Sequence, residues 1–111
     1  MTQTELDSIA AGRSYSTDVE GGAPVIVRMR IAGSFEADYL RFVAGRAEWL
    51  SLSGWALSLA PGQAEVVAAG PEALVGALEM ACMLGPLDTL IDALETEDVA
   101  GPVPSGFVIR N

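Results

Sequence analysis

The sequence predicts a single α+β domain, an α/β sandwich in which an antiparallel sheet carries two helices on one face. Three observations carry this expectation. Half of the 111 residues are hydrophobic and 19% are charged, which suffices for one modest core and is too apolar for a disordered chain. Segments with period 2 and segments with helical spacing follow one another as β-α-β-β-α-β. Gly and Pro clusters fall between them.

Residues 1–23 are rich in Thr, Ser, Gly and acidic groups and end in Gly21-Gly22-Ala23. They are expected to form a flexible arm, so the domain spans 24–111. Val25 to Ile31 alternates, with Val27, Met29 and Ile31 on one face and Ile26, Arg28 and Arg30 on the other, the mark of a strand. Tyr39, Phe42, Val43, Ala47 and Leu50 then recur at helical spacing, which predicts an amphipathic helix over 35–50 with Ser34 as its N-cap. Ser53 to Leu59 and Gln63 to Ala69 flank Ala60-Pro61-Gly62 and predict a hairpin. Gly70-Pro71-Glu72 opens a second helix that Gly85-Pro86 stops, with Leu74, Val75, Leu78, Ala81 and Cys82 on its apolar face. Leu87 to Glu97 is expected to be a strand, although its periodicity also suits a helix. Gly106 to Arg110 closes the chain as a short terminal strand. This order is the split βαβ, ferredoxin-like plan.

Composition excludes several function classes. The 15 acidic residues outnumber 6 basic ones, giving a net charge of −9. All the basic residues are arginines, scattered as Arg13, Arg28, Arg30, Arg41, Arg46 and Arg110. A basic stripe that could neutralise phosphates is missing, so nucleic acid is not an expected partner. With no histidine and a single cysteine, Cys82, the chain holds no Ser-His-Asp or Cys-His triad, no intramolecular disulfide and none of the usual zinc sites. No metal or cofactor is expected. Met1 to Glu20 lacks a secretory signal's basic start and apolar run, and no stretch approaches a membrane span. The expectation is a cytoplasmic protein of a prokaryote-like cell.

Particular residues add a resemblance. Leu52-Ser53-Gly54-Trp55, the hairpin, and Val66-Val67-Ala68-Ala69-Gly70-Pro71-Glu72 resemble the "LSGWV…VEVVAEGPE" core of the acylphosphatase family. Gly85-Pro86 with Ile91 to Asp98, and Gly106-Phe107-Val108-Ile109-Arg110, are similar to that family's "GP…VDxVEVEE" strand and its closing "GFEIR". Val27 to Gly33 sits where the family has its first strand. The resemblance covers Pro24 to the C-terminus and implies the hydrolysis of carboxyl-phosphate anhydrides without a metal. It further implies a loop resembling "GRVQGVGFR", whose backbone N–H groups and final arginine cradle the phosphate, and an asparagine in "GWVRN" that positions the attacking water.

This sequence departs from the family at both places. The loop equivalent is Gly33, Ser34, Phe35, Glu36, Ala37, Asp38 and Tyr39, followed by Leu40 and Arg41. Counted forward from Gly33, the family arginine falls on Arg41. Counted back from Gly54-Trp55, it falls on Leu40. One step along a helix turns a side chain by about 100°, so only one of the two can face the site. Glu36 and Asp38 stand where phosphate would sit, and at about 4 Å each like-charge contact costs on the order of a few kcal/mol. The asparagine position holds Ser58, a shorter group with one donor.

The reading that follows is an acylphosphatase-like protein without acylphosphatase activity, a pseudoenzyme that acts by binding a protein partner or by self-association through a sheet edge or the open sheet face. The alternative is an acylphosphatase with a rearranged loop, using Arg41 for phosphate and Ser58 for water. A small-molecule sensor is a third reading, by fold analogy. Cys82 is read as a core thiol and Glu95 to Asp98 as a solvated strand end. Arg28 and Arg30 are expected to pair with acidic strand residues, and Trp49 and Trp55 to pack in the core or at its rim, with an exposed Trp49 as the alternative.

Overall fold

The computed structural model describes residues 22–110. The elements run β1 (Pro24–Ser34), α1 (Ala37–Trp49), β2 (Ser53–Ala60), β3 (Gln63–Pro71), α2 (Glu72–Leu84), β4 (Leu90–Asp98) and β5 (Phe107–Arg110). The arm expected over 1–23 lies outside the described residues apart from Gly22 and Ala23. The Ala23 carbonyl accepts the Glu72 N–H at 3.0 Å, which ties the start of β1 to the start of α2.

The strands form one five-stranded sheet in the order β4-β1-β3-β2-β5. β1 pairs antiparallel with both β3 and β4, and β2 pairs antiparallel with β3. The terminal strand differs, lying parallel to β2 with Gly54 opposite Phe107. The expected sandwich is therefore present, with a mixed edge where the chain ends.

Alternation decides which side chains are covered. Val27, Met29 and Ile31 of β1, Ala64, Val66 and Ala68 of β3, and Ala56 of β2 are buried beneath the helices. α1 contributes Tyr39, Leu40, Val43 and Ala47, and α2 contributes Val75, Leu78 and Cys82. Gly54 can only be glycine. Its φ of 137° is unfavourable for a side chain, and a Cβ there would lie 1.8 Å from the Val67 carbonyl. The Ser-Gly-Trp segment thus has a structural cause, the close approach of β2 to β3.

The helix-free face is polar and paired. The Arg28 guanidinium donates to Glu97 Oε2 at 2.7 Å, and Arg30 Nε lies 3.3 Å from Glu65. Trp55 Nε1 donates to Glu65 at 3.3 Å, and Arg110 stacks on the Trp55 ring at 4.1 Å. The expected strand pairing of Arg28 and Arg30 is present. Of the two readings of Trp49 the exposed one holds: it is 77% exposed, because it stands two residues beyond buried Ala47 and so about 200° around α1.

Tyr39 joins the two helices. Its hydroxyl donates to the Cys82 carbonyl at 2.8 Å. Four residues on from Cys82 the chain has Pro86, which has no N–H, so that carbonyl lacks its ordinary helical donor. Tyr39 supplies one from the neighbouring helix.

Candidate functional site

The candidate site lies where β1 enters α1, beside the β2–β3 hairpin. Only Phe35 and Glu36 lie between the end of β1 and the start of α1. The segment expected to form a phosphate loop is thus mostly regular structure. Ser34 pairs with Leu90 in the sheet, so it is not the N-cap; Glu36 holds that position, without a side-chain cap hydrogen bond. The cause is the reach of β4, whose backbone pairs with β1 as far as Ser34. Gly33 belongs to the same ladder. Its N–H donates to the Gly62 carbonyl at 3.0 Å, and a Cβ on it would meet the Leu90 carbonyl at 2.1 Å. The retained glycine serves close strand packing.

Two adjoining cavities flank this connection. The inner one, about 330 Å³, is lined by Phe35, Glu36, Ala37, Leu40, Ser58, Leu59, Ala60, Pro61 and Gly62. The outer one, about 730 Å³, shares Phe35, Glu36, Pro61 and Gly62 with it, and adds Asp38, Asp88 and Thr89 among others. Among the described residues no arginine lines either cavity.

The structure brings Leu40 and Ser58 together in the inner cavity and places Arg41 elsewhere. Leu40 is 7% exposed and packs in the core. Arg41, the next residue, is 67% exposed and forms an ion pair with Asp38 one turn back. Tyr39 is fully buried rather than part of a loop, with its ring stacked on Phe35 at 4.5 Å between centroids. Phe35 in turn forms the wall common to both cavities. Ser58 is exposed on β2 beyond the last residue that β5 pairs, next to an irregularity in the β2–β3 register.

The other chemical groups are muted. Burial pushes the Cys82 thiol up to about 12; the Tyr39 hydrogen bond lowers it and the Glu79 charge raises it further. A thiol so far from ionisation is not a nucleophile at neutral pH. Burial also drives the Tyr39 hydroxyl well above its ordinary value. Among the described residues no group of three His, Cys, Asp or Glu side chains could hold a metal ion. No described helix is long and apolar enough to cross a membrane.

Two features of the site go beyond the residues the sequence points to. Leu40 is a wall of the inner cavity as well as a register position, and Asp88 and Thr89 form a side of the outer cleft. Asp88 has a φ of 70° in the turn after Gly85-Pro86, and that turn was expected to be strand. The Gly-Pro-x-Asp pattern is the turn signal that marks it.

No protein-family model matches the chain. An acylphosphatase of Rhodospirillum rubrum is 36% identical to it over 80 residues, spanning 71% of this chain and 88% of the relative. The chain belongs to the acylphosphatase family. A second acylphosphatase, from Rhizorhabdus wittichii, is 32% identical over 81 residues, spanning 72% of this chain and 82% of the relative. In structure the fold matches an acylphosphatase from Coxiella burnetii with a TM-score of 0.75 at 22% identity, covering 86% of this chain and all of the other. Within the acylphosphatase fold, then, this member presents Leu40 and Ser58 to the inner cavity and carboxylates at its rim.

Proposed function

We propose that this acylphosphatase-family protein does not hydrolyse acyl phosphates and acts by binding at the rebuilt cleft. The observation that carries the reading is that Leu40, and not Arg41, shares the inner cavity with Ser58. A phosphate dianion needs a bidentate cation or converging N–H groups. The cleft offers it an apolar wall, and Glu36, Asp38 and Asp88 nearby repel it. The first of these residues stands at the N-cap of α1, where its charge offsets the helix dipole that would otherwise attract an anion.

A second reading, an active acylphosphatase, is favoured by the names of the relatives at 32% and 36% identity. It requires Arg41 to leave Asp38 and turn about 100° around α1. A benzoyl phosphate assay separates the two. The proposal expects hydrolysis at the buffer rate and no change with Arg41→Ala. Turnover well above buffer that Arg41→Ala abolishes would refute it and establish the second reading.

Association through sheet edges is a weaker form of the binding reading. The β4 edge carries Asp92, Glu95, Glu97 and Asp98 within nine residues, and two copies paired there would oppose like charges.

A further inference from the structure

We infer that the two adjoining cavities form one composite site for a compact apolar molecule that carries an ammonium group. This rests on the reading that the cleft has lost its grip on phosphate, and it names the ligand class that replaces it. The inner cavity of about 330 Å³ has the size of a small-molecule pocket. Phe35, Leu40, Leu59 and Pro61 give it apolar walls, and Ser58 provides one hydroxyl. Burying a ring or branched alkyl group there removes apolar surface from water, the ordinary driving force for such sites.

The charge gradient sets the rest of the ligand. The outer cleft shares the Phe35-Glu36 wall and holds Glu36, Asp38 and Asp88, and none of the described residues lining it is basic. Arg41 offsets Asp38. The positive end of α1 favours anions, but Glu36 at its N-cap and Asp38 in its first turn counter it. The chain as a whole carries a charge of −9, which raises the local concentration of cations around such a cleft. A ligand with its apolar body against Leu40 and its cationic head beside Glu36 satisfies both halves. An anionic head of the same shape meets repulsion, and a neutral one forgoes the attraction.

Three probes with one body and different heads test the inference: phenethylamine, 2-phenylethanol and 3-phenylpropionate, added at millimolar concentration to the full chain. Binding is read by thermal shift and by amide chemical-shift changes. Phenethylamine is expected to bind best, about fivefold tighter than the alcohol, with the carboxylate weakest, and to move the signals of Phe35, Leu40 and Gly62. Glu36→Gln, at an exposed position, is expected to weaken the amine about fivefold and leave the alcohol unchanged. Ala37→Leu, also exposed, fills the inner cavity from its mouth and should weaken amine and alcohol alike.

Equal affinity for the three probes, absence of binding at millimolar concentration, or shifts confined to other surfaces would each overturn the inference. Benzoyl phosphate hydrolysis is measured on the same sample. Turnover there sinks the non-hydrolytic reading whatever the amine does, and a silent amine with no turnover sinks only the ligand class.

Discussion

Replacing Tyr39 with phenylalanine isolates a single atom that joins the helix at the candidate site to the second helix. The ring is fully buried and stacked on Phe35, so Tyr39→Phe opens no cavity and keeps the packing. What is lost is the 2.8 Å hydrogen bond to the Cys82 carbonyl. That carbonyl cannot fall back on the residue four positions on, because it is Pro86. The variant therefore loses a hydrogen bond worth about 1 kcal/mol and leaves a buried acceptor unpaired, for a total of about 1–3 kcal/mol. For a domain of this size that lowers Tm by roughly 10 °C. Urea and thermal unfolding followed by circular dichroism measure it, with the slope against urea expected to stay constant. A variant within about 0.5 kcal/mol of the parent, a difference typical of inconsequential surface changes, would refute the assignment of this bond as the link between α1 and α2.

Cys82 should resist thiol reagents at pH 8 in the folded protein and react freely once urea unfolds it, since its thiol is held up to about 12 by burial. The same shift has a sign for stability. The folded thiol keeps its proton above 9.0, where the unfolded one loses it. Stability is thus full below about pH 9 and is lost progressively as pH rises toward the folded value. Tyr39 adds to the slope above its ordinary 10.0. A flat stability profile from pH 8 to 11 would contradict both burial assignments. Gly54→Ala should cost about 2–5 kcal/mol through backbone strain and contact with the Val67 carbonyl; an Ala variant as stable as the parent would show that β2 can retreat from β3.

Much of the fold was legible in the residues because local periodicity and global burial agree in them. Val27, Met29 and Ile31 alternate and all three face the helices. Pro61-Gly62 makes the hairpin, and Gly85 ends α2 with a positive φ of 64°. The absence of histidine removes triad chemistry without any structure. The misplacements have one kind of cause. Ser34 looks like an N-cap, and Leu87 like strand, when read locally. Pairing with Leu90 keeps Ser34 in the sheet, and the turn at Asp88 delays β4 to Leu90.

The candidate site depended most on that long-range pairing. Residue order alone left Leu40 and Arg41 as equal claimants, because a shift of one residue along a helix exchanges them by about 100°. The tie is broken where β1 stops, and that is fixed by strand contacts nearly sixty residues away in sequence, Gly33 to Ile91 and Ser34 to Leu90. With the strand running to Ser34, α1 begins at Ala37, Leu40 turns inward beside Ser58 and Arg41 turns out to Asp38. Periodicity and turn residues were enough for the sandwich and its core faces. Which side chain faces the cleft was decided by tertiary structure, because helix phase is inherited from sheet register and register is a property of distant partners.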